Sequence, residues 1–234
     1  MFDNIAQGAK SLNIKLPPGA RAAFEAYYDL LSKHGKSVNL TAISGAKNVA
    51  ELHFLDSLSL LTVSSFSKVR LIDIGSGAGF PGVPLKLAEP TIDLTLLDAT
   101  GKRITFLKEL CALLDINATC IHARAEDTAH DTEMREQFDT CVSRAVAKLN
   151  VLCELCLPFV KLGGLFIAMK SIGSDVEFDS AQNAVSILGG EVQELVDYAI
   201  PGTDIIHRAI LIRKVSKTPD NYPRRFARIQ KSPL

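Results

Sequence analysis

The sequence predicts an α/β protein with a mostly parallel, seven-stranded sheet, and three observations lead to this prediction. From Val69 onward, short apolar runs alternate with amphipathic helical segments, a pattern that is typical of a parallel sheet with helices on both faces. The last two apolar runs are separated only by a short Pro-Gly loop, which indicates a C-terminal antiparallel hairpin. The chain before Val69 has helical periodicity alone, so we expect an N-terminal helical cap on the sheet.

Residues 1–66 are predicted to form this cap and to pack on the core. Four apolar side chains at helical spacing define its first helix: Phe24, Tyr27, Tyr28 and Leu31. That helix is expected to end near His34. A polar and apolar linker at 39–45 then leads to a second helix from Asn48 to Val63.

The predicted core covers residues 67–216. Its strands are expected at residues 69–74, 93–98, 118–122, 138–143, 164–170, 192–199 and 207–214. Helices are expected between them at residues 83–89, 101–115, 148–160 and 175–188. A basic C-terminal tail follows at 217–234, and the three parts are predicted to form one compact domain.

Composition narrows the functional classes. The 234 residues carry no net charge and are 47% hydrophobic, which predicts one sizeable core and no overall field toward nucleic acid or membrane. No apolar run approaches the ~20 residues that span a bilayer. The single C-x-x-C pattern, Cys153 to Cys156, lies in an apolar helical stretch with no second pair, so no metal site is predicted. Lacking a signal-peptide pattern, the chain is expected to be cytoplasmic.

A glycine-rich turn follows the first predicted strand. The strand ends near Asp73, and glycines recur at positions 75, 77, 79 and 82 before a helix begins. Glycine there permits positive φ and a close approach of the backbone to a ligand, and the helix N-terminus favours polar or anionic groups. The turn predicts a site for a nucleoside-containing molecule. Taken alone, it fits nicotinamide dinucleotides and S-adenosylmethionine equally well.

Asp98 ends the second predicted strand, about twenty residues after the turn, where a carboxylate can accept both ribose hydroxyls of an adenosine. The same side chain could instead cap the helix that begins near Thr100. The turn lacks the third glycine of the dinucleotide pattern, and the C-terminal hairpin matches the Rossmann-like fold of S-adenosylmethionine-dependent methyltransferases. Both features favour S-adenosylmethionine.

Several further motifs occur in a characteristic order. They are Asn39-Leu-Thr41, His53-Phe-Leu-Asp-Ser57, Ile72 to Gly82, Leu97 to Leu107, Arg124-Ala-Glu126, Ser143-Arg-Ala145, Met169-Lys170 and Tyr222-Pro-Arg-Arg225. On these residues the chain resembles the small-subunit ribosomal RNA methyltransferase G family, also called glucose-inhibited division protein B. The resemblance covers most of residues 36–171 and part of the tail. After Arg225 the chain departs from the Gly-Thr-Pro stretch that is frequent in the family.

The resemblance implies methyl transfer from S-adenosylmethionine to ring nitrogen 7 of a guanine in a hairpin loop of 16S ribosomal RNA, near the decoding region. The resemblance implies that the protein binds this RNA or the 30S subunit. We expect a monomer that needs no obligate protein partner and does not bind a membrane. Nitrogen 7 has a lone pair and no proton, so in-line displacement needs no general base. Another RNA, a protein or a small molecule is the alternative acceptor. An oxidoreductase and a non-catalytic RNA-binding factor are the rival classes.

Candidate site residues follow from these readings. Arg144, at a strand end, is the predicted catalytic residue and could hold the methionine carboxylate, a phosphate or the guanine. The predicted cofactor contacts are Gly75, Gly77, Gly79, Phe80, Asp98, Ala125, Glu126 and Arg144. The predicted RNA contacts are Lys102, Arg103, Lys170, Arg224, Arg225 and Arg228, with Tyr222 and Phe226 as stacking candidates. A catalytic triad of His53, Asp56 and Ser57 is rejected, since neighbours on one helix rarely align for a proton relay.

Overall fold

A computed structural model describes residues 1–38, 40–144, 147–173 and 175–234. The strands are β1 (Arg70–Ile74), β2 (Asp93–Asp98), β3 (Ala118–His122), β4 (Phe138–Arg144), β5 (Val160–Ser171), β6 (Gly190–Ala199) and β7 (Ile206–Lys214). They form a seven-stranded sheet in the order β3-β2-β1-β4-β5-β7-β6. The first five strands are parallel, and β7 runs antiparallel to both β5 and β6. The predicted mixed sheet with its C-terminal hairpin is confirmed.

Helices cover both faces of this sheet. They are α1 (Phe2–Ser11), α2 (Ala20–Val38), α3 (Ala46–Val49), α4 (Asp56–Ser59), α5 (Gly82–Ala88), α6 (Gly101–Leu113), α7 (Ala125–Thr128), α8 (Leu149–Cys156), α9 (Asp175–Ile187) and α10 (Phe226–Lys231). A π-helical stretch at Ala50–Leu55 joins α3 to α4, so the predicted second cap helix is one continuous helical segment. Within the described ranges, no helix is both long and apolar enough to cross a membrane.

Two predicted helix ends differ from the structure. The cap helix expected to end near His34 continues as α2 to Val38. The helix predicted at 148–160 ends as α8 at Cys156, because a short 3-10 turn containing Pro158 follows and β5 already begins at Val160. The tail, predicted only as a basic segment, contains the helix α10. Asn39 and Ala145, which belong to two of the motifs above, lie outside the described residues.

The strand order places a topological switch between β1 and β4. From β1 the chain proceeds outward to β3 and then returns to β4 on the other side of β1. Ligands of such sheets bind beyond the carboxyl ends of the strands at this switch. Because Asp73 is in register with Val142, the glycine turn after β1 and the end of β4 lie side by side.

The cap contacts the glycine turn directly. Tyr27 of α2 is fully buried and its hydroxyl donates to the carbonyl oxygen of Ala78 at 2.5 Å. Its ring stacks on Phe80 at 5.2 Å between centroids and meets the edge of Phe54 at 5.1 Å. The buried aromatic cluster therefore fixes the turn from the side of the cap.

On the opposite face the end of the chain folds back over α8. We call residues 216–225 the C-terminal strap. Lys214, the buried last residue of β7 just before the strap, donates to the carbonyls of Leu157 and Leu188 at 3.0 Å each and also bonds Thr218. The guanidinium of Arg135 donates to backbone carbonyls of the strap, including that of Tyr222 at 2.9 Å. These bonds satisfy strap carbonyls that would otherwise lack partners.

Candidate active site

A cavity of about 870 Å³ opens at the carboxyl edge of the sheet. Its wall on one side is the glycine turn together with the end of β2 around Asp98. Its wall on the other side comes from the cap, from Arg144 at the end of β4, and from the segment that follows β5. Sequence-distant residues therefore meet in one continuous space whose volume suits a small-molecule ligand.

The glycines of the turn serve different purposes. Gly77 has φ 59°, and a Cβ placed there would meet only the carbonyl oxygen of Gly75, at 3.8 Å. The space above Gly77 is therefore open toward the cavity. Gly79 has φ 100°, and a Cβ there would lie 2.7 Å from the Tyr27 hydroxyl. Gly79 is needed for packing against the cap, whereas Gly75 and Gly77 line the cavity.

The Asp98 carboxylate binds both the glycine turn and the backbone at the start of α6. Its Oδ2 accepts from the Gly77 amide at 2.9 Å, and its Oδ1 accepts from the Thr100 amide at 2.8 Å. Arg103 lies 3.4 Å from the same carboxylate. The helix-cap role and the cavity role of Asp98 are therefore compatible, because Oδ1, among the residues that the structure describes, accepts only from Thr100 and has a second lone pair for a further donor.

Asp73 lies beneath the turn, fully buried. Its Oδ2 accepts from the Gly82 amide at 2.9 Å at the start of α5. Its Oδ1 has no hydrogen-bond partner in the described part of the chain. Burial raises the pKa of this carboxyl to about 7, although the Gly82 amide and the nearby Arg144 act in the opposite direction.

Arg144 is held by the cap. Its Nη1 donates to Asp56 Oδ2 at 2.9 Å and to the Leu52 carbonyl at 3.3 Å. Its Nη2 contacts His53 Nδ1 at 2.9 Å, and its guanidinium carbon lies 5.0 Å from the centre of the Phe80 ring. Three of the five N–H groups of the guanidinium are thus engaged. The Nε–H and one Nη2–H have no partner among the described residues, and the side chain lines the cavity.

Asp56 connects Arg144 to the hairpin. Its Oδ1 accepts from the Tyr198 hydroxyl at 3.0 Å and from His207 Nδ1 at 2.8 Å. The side chain is only 1% exposed. Burial would raise the pKa of Asp56, but the bond from His207 and the charge of Arg144 outweigh it, so its pKa is lowered. The carboxylate is charged and fully engaged, which excludes it as a free general base.

His53 is a neutral positioning group. Its ring stacks on Phe80 at 4.4 Å, and its Nε2 lies 2.7 Å from Thr41 Oγ1. Burial and the adjacent Arg144 lower its pKa to about 3. Because the Ser57 hydroxyl donates to the His53 carbonyl at 2.6 Å, the triad that the sequence analysis rejected has no relay geometry here either.

Two of the predicted cofactor contacts, Ala125 and Glu126, lie one strand further out in the sheet. Ala125 and Glu126 form the first turn of α7 after β3, and both are buried. Neither is among the residues that line the cavity. They stand beyond Asp98, since β3 pairs with β2 through the register of Asp98 with His122.

The predicted basic residues divide into three groups. Arg103 and Lys170 line the cavity. Lys102, Arg225 and Arg228 are exposed outside it.

Arg224 forms the third group, because its side chain is engaged within the protein. Its Nε and Nη2 donate to the two oxygens of Glu154 at 2.8 and 2.7 Å, and its backbone amide donates to the same carboxylate. The two stacking candidates also have internal partners, since Tyr222 lies under Arg224 and Phe226 under Arg124.

Three residues of the cavity wall were not predicted as a group: Asp56, His207 and Glu177. Asp56 did stand in a quoted motif, but nothing in the sequence indicated that it contacts Arg144. His207 and Glu177 gave no signal, since a histidine in a strand and an acid in the first turn of a helix are both ordinary.

Comparisons with known proteins identify the family that the chain resembles over most of its length. The family profile described as GidB, rRNA small subunit methyltransferase G, matches residues 20–205. The Ribosomal RNA small subunit methyltransferase G of Alkaliphilus oremlandii (strain OhILAs) is 44% identical over 234 residues, covering 99% of this chain and 98% of that protein.

Two solved structures share the fold. The ribosomal protein L11 methylase from Lactobacillus delbrueckii subsp. bulgaricus superposes with a TM-score of 0.51 at 14% identity, covering 69% of this chain and 78% of that one. A methyltransferase from Pyrococcus furiosus superposes with a TM-score of 0.56 at 10% identity, covering 84% and 98%. The predicted Rossmann-like methyltransferase fold is confirmed.

Proposed function

This chain belongs to the rRNA small subunit methyltransferase G family, and we propose that it transfers a methyl group from S-adenosylmethionine to ring nitrogen 7 of a guanine in 16S ribosomal RNA. The target guanine lies in a hairpin loop near the decoding region. One observation carries the proposal: a single cavity joins the glycine turn and Asp98 to Arg144 and Phe80. A cofactor bound at one end and a base bound at the other would meet inside it.

The residues present fit S-adenosylmethionine. The missing side chain at Gly77 leaves open space above the turn, and the Asp98 carboxylate beside it can accept ribose hydroxyls. When bound, this cofactor supplies an electrophilic methyl group on sulfur. Gly75, Gly77, Phe80 and Asp98 would hold it, with Ala125 and Glu126 proposed toward the adenine. Gly79 would act through the shape of the turn.

The chain itself would bind the cofactor and the guanine, orient them toward each other, and exclude water from the cavity. The attacked nitrogen carries a lone pair and no proton, so no side chain has to remove one. This agrees with a neutral His53 and a fully engaged Asp56 beside the cavity. Positioning of reacting groups can supply ~7–11 kcal/mol of a barrier. Arg144 would contribute through its two unengaged N–H groups, aimed at an acceptor on the base or on the methionine carboxylate.

Binding of RNA is proposed for two basic residues next to the cavity and for two in the tail. Lys102 and Arg103 stand at the start of α6, next to the cavity. Arg225, just before α10, and Arg228, on α10, are exposed to solvent. Affinity for RNA should fall steeply with salt if these residues contact phosphates. We assign Arg224 to the structure of the strap, because Glu154 engages its guanidinium.

The direct test is methyl transfer from labelled S-adenosylmethionine to 30S subunits taken from cells that lack the modification. The product is mapped by cleavage at 7-methylguanosine. The proposal expects one modified guanine in the decoding-region hairpin. Label in another RNA, in protein or in a small molecule would replace the proposed acceptor.

Cofactor class is tested separately. S-adenosylhomocysteine should raise the melting temperature of the protein, whereas NAD(P)H should leave it unchanged, because only a ligand of the native state stabilises it. The reverse result would contradict the methyltransferase chemistry. We further propose that the protein acts on the ribosomal small subunit as a monomeric, cytoplasmic enzyme.

A further inference from the structure

The Lys170–Glu177 ion pair lies at the end of the cavity away from Asp98. Lys170 is the penultimate residue of β5, and Glu177 lies in the first turn of α9. Lys170 Nζ is 2.7 Å from Glu177 Oε2. Both residues line the cavity. The Lys170 side chain is 11% exposed and that of Glu177 is 36% exposed, so the carboxylate is the partner that reaches toward solvent in the cavity.

Part of this pair has a structural role. Lys170 Nζ also donates to the Ala147 carbonyl at 2.6 Å, and Glu177 Oε2 accepts from the Leu149 amide at 3.2 Å. These bonds tie the end of β5 and the start of α9 to the beginning of α8. They involve only one carboxylate oxygen and two of the three ammonium N–H groups.

The rest of the pair is available to a ligand. Within the described ranges, Glu177 Oε1 and the third N–H of Lys170 have no partner. The other carboxylates that line the cavity differ in this respect. Asp56 has both oxygens engaged by Arg144, Tyr198 and His207, and Asp98 has both engaged beside the glycine turn.

Glu177 is also charged near neutral pH. Burial would raise its pKa, but the hydrogen bond and charge of Lys170 outweigh that effect, so the pKa of Glu177 is lowered. The group is therefore an acceptor, with a fixed donor at its side.

We propose that the Lys170–Glu177 pair reads the Watson–Crick edge of the target guanine. This inference rests on the proposed function. Guanine presents an acceptor, O6, next to two donors, N1–H and the N2 amino group. The ammonium of Lys170 would donate to O6, and Glu177 Oε1 would accept from N1–H and N2. Adenine presents the reverse order, a donor next to an acceptor, so the same pair rejects it.

The placement agrees with the geometry of the base. Nitrogen 7 lies on the opposite side of guanine from the N2 amino group, so a base whose N7 faces the cofactor turns its Watson–Crick edge away from it. The cofactor end of the cavity is built on β1 and β2, whereas Lys170 lies on β5, on the far side of β4 from β1, and Glu177 lies on the helix that follows β5. Ile172, 48% exposed and also lining the cavity, offers an apolar contact for the face of the base.

The test compares guanine with inosine at the target position. Inosine keeps O6 and N1–H but lacks the N2 amino group. Ribosomal RNA ligated from segments, with either base at the target, is assembled into 30S subunits and methylated by full-length protein. For the wild type we expect kcat/KM with inosine to be about tenfold below that with guanine, since the charged acceptor loses one of its two donors.

Glu177→Ala should remove this discrimination. We expect its kcat/KM to fall with both bases, because the contact to N1–H is lost on each, but about tenfold further with guanine, so that the guanine-to-inosine ratio comes within about twofold of one. Asp179→Ala, an exposed acid on the same helix, is the matched control and should keep the wild-type ratio. Melting temperatures and S-adenosylhomocysteine affinity of all three proteins verify folding and the cofactor end of the cavity.

Two results would overturn recognition of the guanine by Lys170 and Glu177 while leaving the proposed function intact. One is equal methylation of guanine and inosine by the wild type. The other is a Glu177→Ala protein that loses the same factor on both bases, which would indicate a structural role alone. Absence of transfer to the guanine substrate by the wild type, with S-adenosylhomocysteine still bound, would overturn the proposed function and this inference together.

Discussion

Two clusters of buried charge lie on opposite faces of the sheet, and each contains an arginine paired with an almost inaccessible carboxylate. Asp56 is 1% exposed in the pair with Arg144, and Glu154 is 0% exposed in the pair with Arg224. Around Arg144 the structure opens into a cavity of about 870 Å³. Around Arg224 the strap closes over the pair. Burial of an ion pair is common to both, so burial alone does not identify the functional site.

The difference lies in the hydrogen-bonding groups left for a ligand. Arg144 keeps two N–H groups that have no partner among the described residues, and they belong to a side chain that lines the cavity. On the strap side, basic groups bind the chain's own backbone and carboxylates. Arg135 donates to strap carbonyls, and Lys214 donates to the carbonyls of Leu157 and Leu188. The first cluster therefore keeps donors that a ligand could use, whereas the basic groups of the second are engaged within the chain.

The largest expected effect is on methyl transfer by Arg144→Met. We expect the rate to fall ~10²–10³-fold, as for the loss of a preorganised donor in an active site. Asp56 keeps Tyr198 and His207 as partners, so the protein should still fold. Single-turnover transfer to 30S subunits measures the rate, and circular dichroism verifies folding.

Arg224→Met is the matched control for that experiment, because it removes the arginine of the other cluster. Its transfer rate per folded molecule should stay within about twofold of wild type. A loss of activity as large as that of Arg144→Met would show that the two clusters do not differ in function.

The free energy of unfolding should show the opposite order, with a larger loss in Arg224→Met than in Arg144→Met. Arg224→Met leaves Glu154 buried without its cation, and breaking a buried pair in this way costs about 3–5 kcal/mol. Urea unfolding measures the change in the free energy of unfolding. The double variant Glu154→Leu/Arg224→Met should recover part of this loss, because no unpaired charge remains. Equal loss in the single and double variants would contradict the ion-pair explanation.

Asp73 gives a pH-dependent effect of intermediate size. Its folded-state pKa of about 7 lies above the ordinary value of 3.8, so between pH 4 and pH 7 the folded protein holds a proton that the unfolded chain releases. The free energy of unfolding should therefore fall as pH rises through this window, by at most about 1.4 kcal/mol per pH unit. Asp73→Asn should flatten the profile relative to wild type. Parallel profiles for the two proteins would contradict the assigned pKa.

The smallest effect is expected at an exposed ion pair. Arg21 Nη2 lies 2.6 Å from Asp3 Oδ1, but the two side chains are 56% and 86% exposed. Arg21→Ala should change the free energy of unfolding by less than about 1 kcal/mol. A loss comparable to that of Arg224→Met would mean that exposure does not separate these pairs.

Local patterns predicted much of the fold and one wall of the site. Apolar runs that alternate with helical stripes predicted the strands, and the glycine turn with Asp98 indicated residues that form one wall of the cavity. Arg144 followed from its position at a strand end. These features depend on neighbours in sequence, which periodicity and turn chemistry report.

Contacts between distant segments could not be predicted in the same way. Asp56 lies 88 positions from Arg144 and 151 from His207, and no local pattern pairs them. The charge of the tail likewise gave no sign that Arg224 folds back. One signal was available: Glu154 interrupts the apolar stretch of α8, and a buried acid needs a cation.

Direct contact of the target base with the cavity is the central claim, and photo-crosslinking tests it. A 6-thioguanine at the target position places a photoreactive sulfur where O6 would be. After irradiation of the RNA–protein complex with S-adenosylhomocysteine present, crosslinked peptides are identified by mass spectrometry. The account predicts crosslinks within residues 169–177 or at Arg144. Crosslinks confined to the C-terminal strap would contradict it.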